Sequence, residues 1–238
     1  MLVEIDNLTK VYGHGKGAVR ALDNVSFSIG DGEIVGLLGK NGAGKSTLLK
    51  ILVGLTRKTG GSAVIDRVGV SAAESRSAVG YVPEGSDFDG FRSARGFIRA
   101  CGLLHGVKPD VLDGRIRDSL EAFALADAPS SIKAFSKGMR RRLALAQALV
   151  HEPRLLLLDE ATDGLDPDER RRVLDLLVAL KAKGVSTLMS SHVLGEVERV
   201  SDRVVILHKG RVATMEVRDG GWPANHLESA FQSATGEA

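Results

Sequence analysis

The segment Gly39-Lys40-Asn41-Gly42-Ala43-Gly44-Lys45-Ser46-Thr47 constrains this chain more than any other stretch. It fits the G-x-x-x-x-G-K-[ST] phosphate-binding pattern from Gly39 to Ser46. Its setting fits as well: residues 33–38 read as a short buried strand, and residues 46–53 as a helix with an apolar face. Gly39, Gly42 and Gly44 permit positive φ and let backbone N–H groups turn inward around an anion. The helix N-terminus adds partial positive charge and unpaired donors. Lys45 suits the β- and γ-phosphates as a compact charge, and Ser46 offers a hydroxyl to Mg²⁺. Strand, loop and helix together predict binding of a nucleoside triphosphate.

What the chain does with that ligand must come from elsewhere. Its 238 residues allow one large domain or two small ones. A 43% hydrophobic share beside 26% charged is ordinary for a globular protein and supports a sizeable core. The net charge of +2 gives no nucleic-acid footprint. Cys101 is the only cysteine, which excludes an internal disulfide and points to the cytosol. The first residues lack the basic region and apolar run of a secretory signal. No stretch approaches the ~18 apolar residues that span a bilayer, so any membrane process served here needs another chain to do the crossing.

In chain order, residues 2–9 and 19–29 alternate apolar and polar as two antiparallel strands, the second with Leu22, Val25, Phe27 and Ile29 on one face. Tyr12 sits in the Gly-rich loop between them and reads either as a stacking surface for adenine or as an ordinary loop tyrosine. Strands are expected at 62–66 and 78–82 around a Ser/Ala-rich loop, then a breaker at Pro83-Glu84-Gly85. Residues 91–127 carry helical periodicity, with Pro109 opening the second helix. A further helix follows Phe135-Ser136-Lys137-Gly138-Met139 and ends at Pro153. Leu155 to Leu158 is continuously apolar, as in a parallel strand covered on both faces, and stops at Asp159-Glu160. Asp166-Pro167 predicts an N-cap with proline at the first helical position, and Gly184 closes that helix. A buried strand over 185–190 precedes Ser191-His192; a hairpin turns at Lys209-Gly210; a terminal helix is expected near 227–231. The result is an α/β chain with a mainly parallel sheet, whose ligand site lies at the carboxyl ends of the strands.

Asp159 and Glu160 send their side chains different ways. One can hold Mg²⁺ while the other polarises a water aimed at the γ-phosphate, since phosphoryl transfer depends on positioning and charge stabilisation. Ser136 can cap its helix, and Lys137, Arg140, Arg141 and Arg142 crowd the first turn, where the macrodipole disfavours cations. That end reads as an anion seat or as a solvated basic face. His192 could contact a γ-phosphate; by itself it reads better as a satisfied core histidine.

The ordered set formed by residues 39–47, 135–139, 155–160, Ala161-Thr162-Asp163-Gly164-Leu165-Asp166 and His192 resembles the ATP-binding subunits of ABC transporters over about residues 2–217. The resemblance implies a P-loop NTPase core with an antiparallel β subdomain (about 1–30 and 60–80) and an inserted helical subdomain (about 86–150), followed by a short tail over 218–238. It implies ATP and Mg²⁺ as ligands, and a head-to-tail dimer with ATP between the copies. Ser136, Lys137, Gly138 and Met139 would meet the other copy's phosphate loop, and Asp163 would communicate across the dimer. Tyr12 would stack on adenine; Lys45 would serve the phosphates; Ser46 and Asp159 would handle Mg²⁺; Glu160 would be the general base; His192 would sense the γ-phosphate. It also implies a cytoplasmic protein held at the inner face of the membrane by an integral membrane subunit, with no nucleic-acid partner.

Three departures matter. Phe135 and Lys137 stand where the family usually has Leu and Gly, a version similar to the branch serving drug and polysaccharide exporters. Lys40 replaces a usual Pro in the loop's variable part. Glu84 replaces a usual Gln at the position that touches Mg²⁺ or its water and senses the membrane partner. A soluble relative acting on DNA or ribosomes is the main rival. Repair types insert a long coiled coil, for which the about 90 residues between Lys45 and Ser136 are too few, and translation types usually carry two cassettes. A small-molecule kinase or GTPase is a third option, but the sequence has no Asn-Lys-x-Asp guanine signal and that reading would leave Ser136–Met139 unexplained.

Overall fold

The computed structural model describes residues 1–85, 88 and 90–236. The outer limits expected for the helical insertion, residue 86, and for the tail, residue 238, lie outside the described residues. Among the described residues, ten strands form two sheets. The smaller has the order β2-β1-β4-β5, from β1 (Val3–Tyr12), β2 (Val19–Ile29), β4 (Gly60–Ile65) and β5 (Val68–Gly69), all antiparallel. The larger has the order β10-β9-β3-β8-β7-β6. Within it β9 (Arg203–His208), β3 (Ile34–Leu38), β8 (Ser186–Ser191), β7 (Leu155–Asp159) and β6 (Val79–Val82) run parallel, and β10 (Arg211–Val217) closes one edge as the antiparallel arm of a hairpin.

Two details differ from the sequence expectation. The spacing of three between Leu22 and Val25 cannot lie on one face of a regular strand. The chain solves this with an irregular register opposite Leu8–Lys10 and a left-handed Asn24, φ 53°, so both residues are fully buried. Residues 79–80 fall in β6 and pair with β7, so they belong to the parallel sheet rather than to the antiparallel part.

Period-two alternation in the central strands divides the core. Leu155 and Leu157 of β7 face the layer containing α1 (Lys45–Leu52) and the small sheet. Leu156 and Leu158 face the helical side, with α2 (Ala94–Leu104), α3 (Pro109–Ala122), α4 (Lys137–Leu149) and α5 (Pro167–Ala182). All four leucines are at most 1% exposed. This is why their run is apolar throughout. A third cluster joins Leu38 and Val204 to α6 (Leu194–Val200) and α7 (His226–Thr235). Thus α7 runs longer than expected, because Leu227 and Phe231 dock its apolar face on the edge of the sheet. No helix among the described residues is long and apolar enough to cross a membrane.

Local chemistry sets the helix starts. Asp166 accepts from the Glu169 N–H at 2.8 Å with Pro167 at the first helical position, and Ser136 accepts from Met139 N–H at 3.2 Å. Such caps each contribute about 1 kcal/mol. The carboxyl ends of β3, β7 and β8 and the start of α1 open onto one cleft.

Candidate functional site

The cleft has a volume of about 940 Å³ and is lined by residues 39–47, Glu84, Glu160, Asp163 and His192. Val19, Arg20, Ala21, Leu194 and Phe231 also face it. Its floor is the loop between β3 and α1. Gly42 and Gly44 adopt positive φ, 79° and 110°, as the sequence expects. Gly39 does not; it is needed for space, since a Cβ there would stand 2.7 Å from the Leu207 carbonyl oxygen. Gly44 caps α1 without any side-chain acceptor, so the helix's first N–H groups are left to a ligand.

An ion pair and a set of serine hydrogen bonds organise this end of the cleft. Lys45, 6% exposed, donates from Nζ to the Gly39 carbonyl at 2.6 Å and stands 3.3 Å from Glu160 Oε1. Ser46 Oγ donates to Asp159 Oδ1 at 3.0 Å, and Ser190 Oγ donates to the same oxygen at 2.9 Å. Asp159 is 1% exposed, and these two hydroxyls are hydrogen-bond donors to its buried carboxylate. Glu160 lies just past the strand and turns the other way, as expected, but through a left-handed backbone rather than strand alternation. Its N–H donates to Ser190 Oγ at 3.0 Å, and it holds φ at 48°, a left-handed conformation uncommon for a non-glycine residue. Its Oε2 lies 2.8 Å from His192 Nδ1.

His192 corrects the core reading. Its side chain is 55% exposed and reaches the cleft through Glu160. The strand end that looked like a route into the core instead delivers the ring to the mouth of the site. Beneath it, Glu196 is 3% exposed and takes hydrogen bonds from Thr162 Oγ1 at 2.6 Å and Ser191 Oγ at 2.9 Å, with Arg170 Nε at 3.0 Å. One buried carboxylate thus fixes both the segment leading to Asp163 and the residue preceding His192. Glu196 carries no motif of its own in the sequence; its placement beneath the site comes from the fold.

The basic cluster of α4 is also corrected. It is not a single anion seat: Arg141 is buried against main-chain carbonyls, and Arg142 donates to Glu169 Oε1 at 2.8 Å. Arg141 lies three, four and seven residues before the buried Ala144, Leu145 and Ala148, a periodicity that marks it as the inward member of the arginine run. Ser136 and Lys137 are exposed, and Gly138 is buried. None of Ser136, Lys137, Gly138 or Met139 lines the cleft of its own chain. Tyr12 is not among the lining residues either. It pairs across the sheet with Val19, which is, and Lys10 Nζ rests 4.5 Å above its ring centre. Beside Val19, Arg20 and Arg211 hold the Asp23 carboxyl below the usual carboxylate range. Burial, with Asp159 and Glu84 nearby, pushes the Tyr81 phenol up to about 12, so it stays neutral.

The residues fit a nucleoside triphosphate with Mg²⁺. The loop amides, the helix start and Lys45 offer an anion cradle; Ser46 and Glu84 line the same cleft with oxygen atoms, and Asp159 lies buried behind Ser46, hydrogen-bonded to it. Among the described residues no group of three or more His, Cys, Asp and Glu side chains is placed to hold a metal by itself. That suits Mg²⁺, which uses one or two carboxylates and draws its other ligands from phosphate and water.

Comparison with known proteins converges on one family. The family model described as "ABC transporter" matches residues 22–163. An ABC transporter ATP-binding protein of Synechocystis sp. is 35% identical over 89% of this chain and 61% of its own length. Doxorubicin resistance ATP-binding protein DrrA of Mycobacterium tuberculosis is 37% identical over 88% of this chain and 64% of its own. Methionine import ATP-binding protein MetN 4 of Oceanobacillus iheyensis is 34% identical over 89% and 64%. The chain thus spans less than two thirds of the length of these relatives. Among solved structures, an ATP-binding subunit of an ABC transporter superposes with a TM-score of 0.85 at 30% identity, covering 100% of this chain and 97% of that one. A dimeric post-hydrolysis state of the ATP-binding cassette MJ0796 bound to ADP and Pi gives 0.84 at 25% identity, covering 92% and 100%.

Proposed function

The chain belongs to the ABC transporter family, and from that premise we propose that it is the Mg²⁺-dependent ATPase that drives a transporter, moving substrate through a separate membrane subunit by ATP binding, dimer closure and hydrolysis. One observation carries the reading. Lys45 and Glu160 stand 3.3 Å apart at the end of the phosphate loop, beside Ser46 and Asp159 at 3.0 Å. A phosphate-binding lysine at the start of α1 and a carboxylate just past the end of β7, brought together at the carboxyl edge of one parallel sheet, are what in-line attack of water on a γ-phosphoryl group requires.

The loop amides and Lys45 bind the phosphates. Ser46, Asp159 and Glu84 would hold Mg²⁺, which would supply charge neutralisation for the phosphates. Glu160 takes the proton from the attacking water, and His192, hydrogen-bonded to Glu160, reports on the γ-phosphate. Tyr12 stacks on adenine at the Val19–Ala21 side. Two copies pack head to tail, so that the exposed Ser136, with Lys137, Gly138, Met139 and Asp163, completes the other copy's site. The dimeric cassette structure supports such pairing. The protein works on the cytoplasmic face of the membrane and is held there by its membrane subunit. Export is proposed from Ser136-Lys137-Gly138-Met139 and from DrrA, a relative named for drug resistance.

Glu160→Gln tests the assignment. The amide cannot accept the water's proton, so turnover is expected to fall at least about 100-fold, while ATP is retained and a dimer accumulates in size-exclusion chromatography. Undiminished hydrolysis in this variant would remove Glu160 as the base.

A further inference from the structure

Arg141 is the inward-facing member of three consecutive arginines, 6% exposed. A guanidinium buried to that extent is tolerated only if its donors are met. Nη1 donates to the Pro83 carbonyl at 2.8 Å; Nη2 donates to the Glu84 carbonyl at 2.8 Å and, more loosely, to the Glu160 carbonyl at 3.4 Å. Desolvation lowers its pKa, opposed by the charges of Asp163, Glu84 and Asp159, and the group stays protonated.

The three carbonyls belong to two loops. β6 and β7 pair in parallel as far as Val82 opposite Leu158, and there the ladder stops. Pro83 and Glu84 continue from one strand, Asp159 and Glu160 from the other. Arg141 supplies the donors that span this gap. A fork of donors on a planar group suits two acceptors on separate segments, which a lysine's single ammonium serves less well. Glu160 has a particular need for such support, because its φ of 48° is sparsely populated by L residues. Its N–H is held by Ser190 Oγ and its carbonyl by Arg141, so both ends of the strained residue are fastened.

We propose that Arg141 is a positioning residue that ties the Glu84 loop to the backbone of Glu160, so that movement of that loop is transmitted to the carboxylate facing Lys45. This rests on the ATPase reading of the cleft. It also joins the two ends of α4's role: Ser136 opens the helix at the surface, and five residues later the same helix grips its own chain's catalytic loop.

The test is Arg141→Met, close in volume without donors, beside Arg141→Lys, which keeps the charge but not the fork. Hydrogen exchange is followed in peptides covering 80–85 and 159–165, with α1 as the internal reference. ATP affinity is read with a fluorescent ATP analogue, and kcat and KM are measured at saturating Mg²⁺. In Arg141→Met, exchange is expected to rise about tenfold in both loops and not in α1, with kcat down about tenfold and affinity within about twofold. Arg141→Lys is expected to fall between. A general packing role would instead raise exchange along α4 and lower the bound nucleotide with no change in turnover per bound ATP. That result overturns the proposal, as does unchanged exchange in the two loops. If Arg141→Met does not fold, Arg141→Lys decides by the same measures, and wild-type exchange there overturns it. A wild-type protein without ATPase activity would refute the function reading, while the exchange pattern would still decide the cross-link.

Discussion

Helices α1 and α4 begin alike in sequence and differently in structure. Each opens with a lysine at its first position, Lys45 and Lys137, and neither has an acidic residue in its first turn. Both starts therefore carry an excess of positive charge where the macrodipole already supplies some. Gly44 enters α1 with no side-chain cap, and Lys45 is buried and folded back toward Gly39 and Glu160. Ser136 caps α4 with its own hydroxyl, and Lys137 lies exposed along Gly164, where a Cβ would meet its Nζ at 1.7 Å. The first leaves its donors for a ligand held in its own chain's cleft. The second is a stable surface whose ligand must come from outside. The proposed head-to-tail dimer is the arrangement in which the second supplies what the first lacks.

The largest expected effect separates the two ends directly. Lys45→Ala removes the charge that faces the phosphates, and ATP affinity should fall at least about 100-fold. Ser136→Ala should leave the affinity of one chain within about twofold, cost about 1 kcal/mol of stability for the lost cap, and lower hydrolysis about tenfold. Mixing the two variants is the sharper test. A mixed pair contains one intact site, built from Lys45 of one copy and Ser136 of the other, so part of the activity should return. If the two impaired variants gain no activity together while forming mixed dimers, α4 does not complete a neighbour's site.

A smaller effect is expected at Glu84, which borders the cleft while its carbonyl is held by Arg141. Glu84→Gln removes a negative charge beside the Ser46–Asp159 pair without removing the oxygen. The Mg²⁺ concentration for half-maximal ATPase should rise several-fold, with ATP affinity little changed. Identical Mg²⁺ titrations for variant and wild type would take Glu84 out of the metal's surroundings.

These contrasts explain what was legible before the fold was seen. The phosphate loop could be read because its chemistry is local: nine consecutive residues set their own geometry. The Asp159-Glu160 pair could be read because a four-leucine run must be a strand covered on both faces, and its end must then face a ligand. Gly39 was misjudged in detail, since crowding by Leu207, 168 residues away in sequence, is not written in the motif. Taken without the other motifs, His192 reads as a core residue because one strand end does not tell whether the next residue turns into the core or toward the cleft. That choice is made by Glu196, which draws Ser191 inward and leaves His192 outside. Arg140, Arg141 and Arg142 look alike in sequence; only helical phase against Ala144 and Ala148 separates the buried one from the rest. The family resemblance reached the order of the motifs but could not reach these contacts.

The smallest expected effect concerns stability and lies away from both helix starts, at the stacked pair His105–His151 beside β6. His151 Nε2 lies 3.1 Å from the Val79 carbonyl, while its Nδ1 is buried without a partner. Burial chiefly, then His105 and Arg115, press its pKa down to about 4, against a weaker raising effect from Val79. Lys50 and Arg76 line the same groove and add to the positive surroundings. The folded ring is therefore neutral between the ordinary histidine value near 6.5 and 4, whereas the unfolded ring binds a proton there. The unfolded state holds more protons in that window, so stability rises with pH and is lost progressively as pH falls from about 6.5 toward 4. His151→Gln keeps a donor for Val79 and cannot titrate. Urea unfolding at pH 7.5 and 5 should show a smaller drop in stability for the variant than for the wild type, by about 1 kcal/mol. Equal drops would mean that another group carries the acid sensitivity, and that the His105–His151 stack accepts a proton without cost.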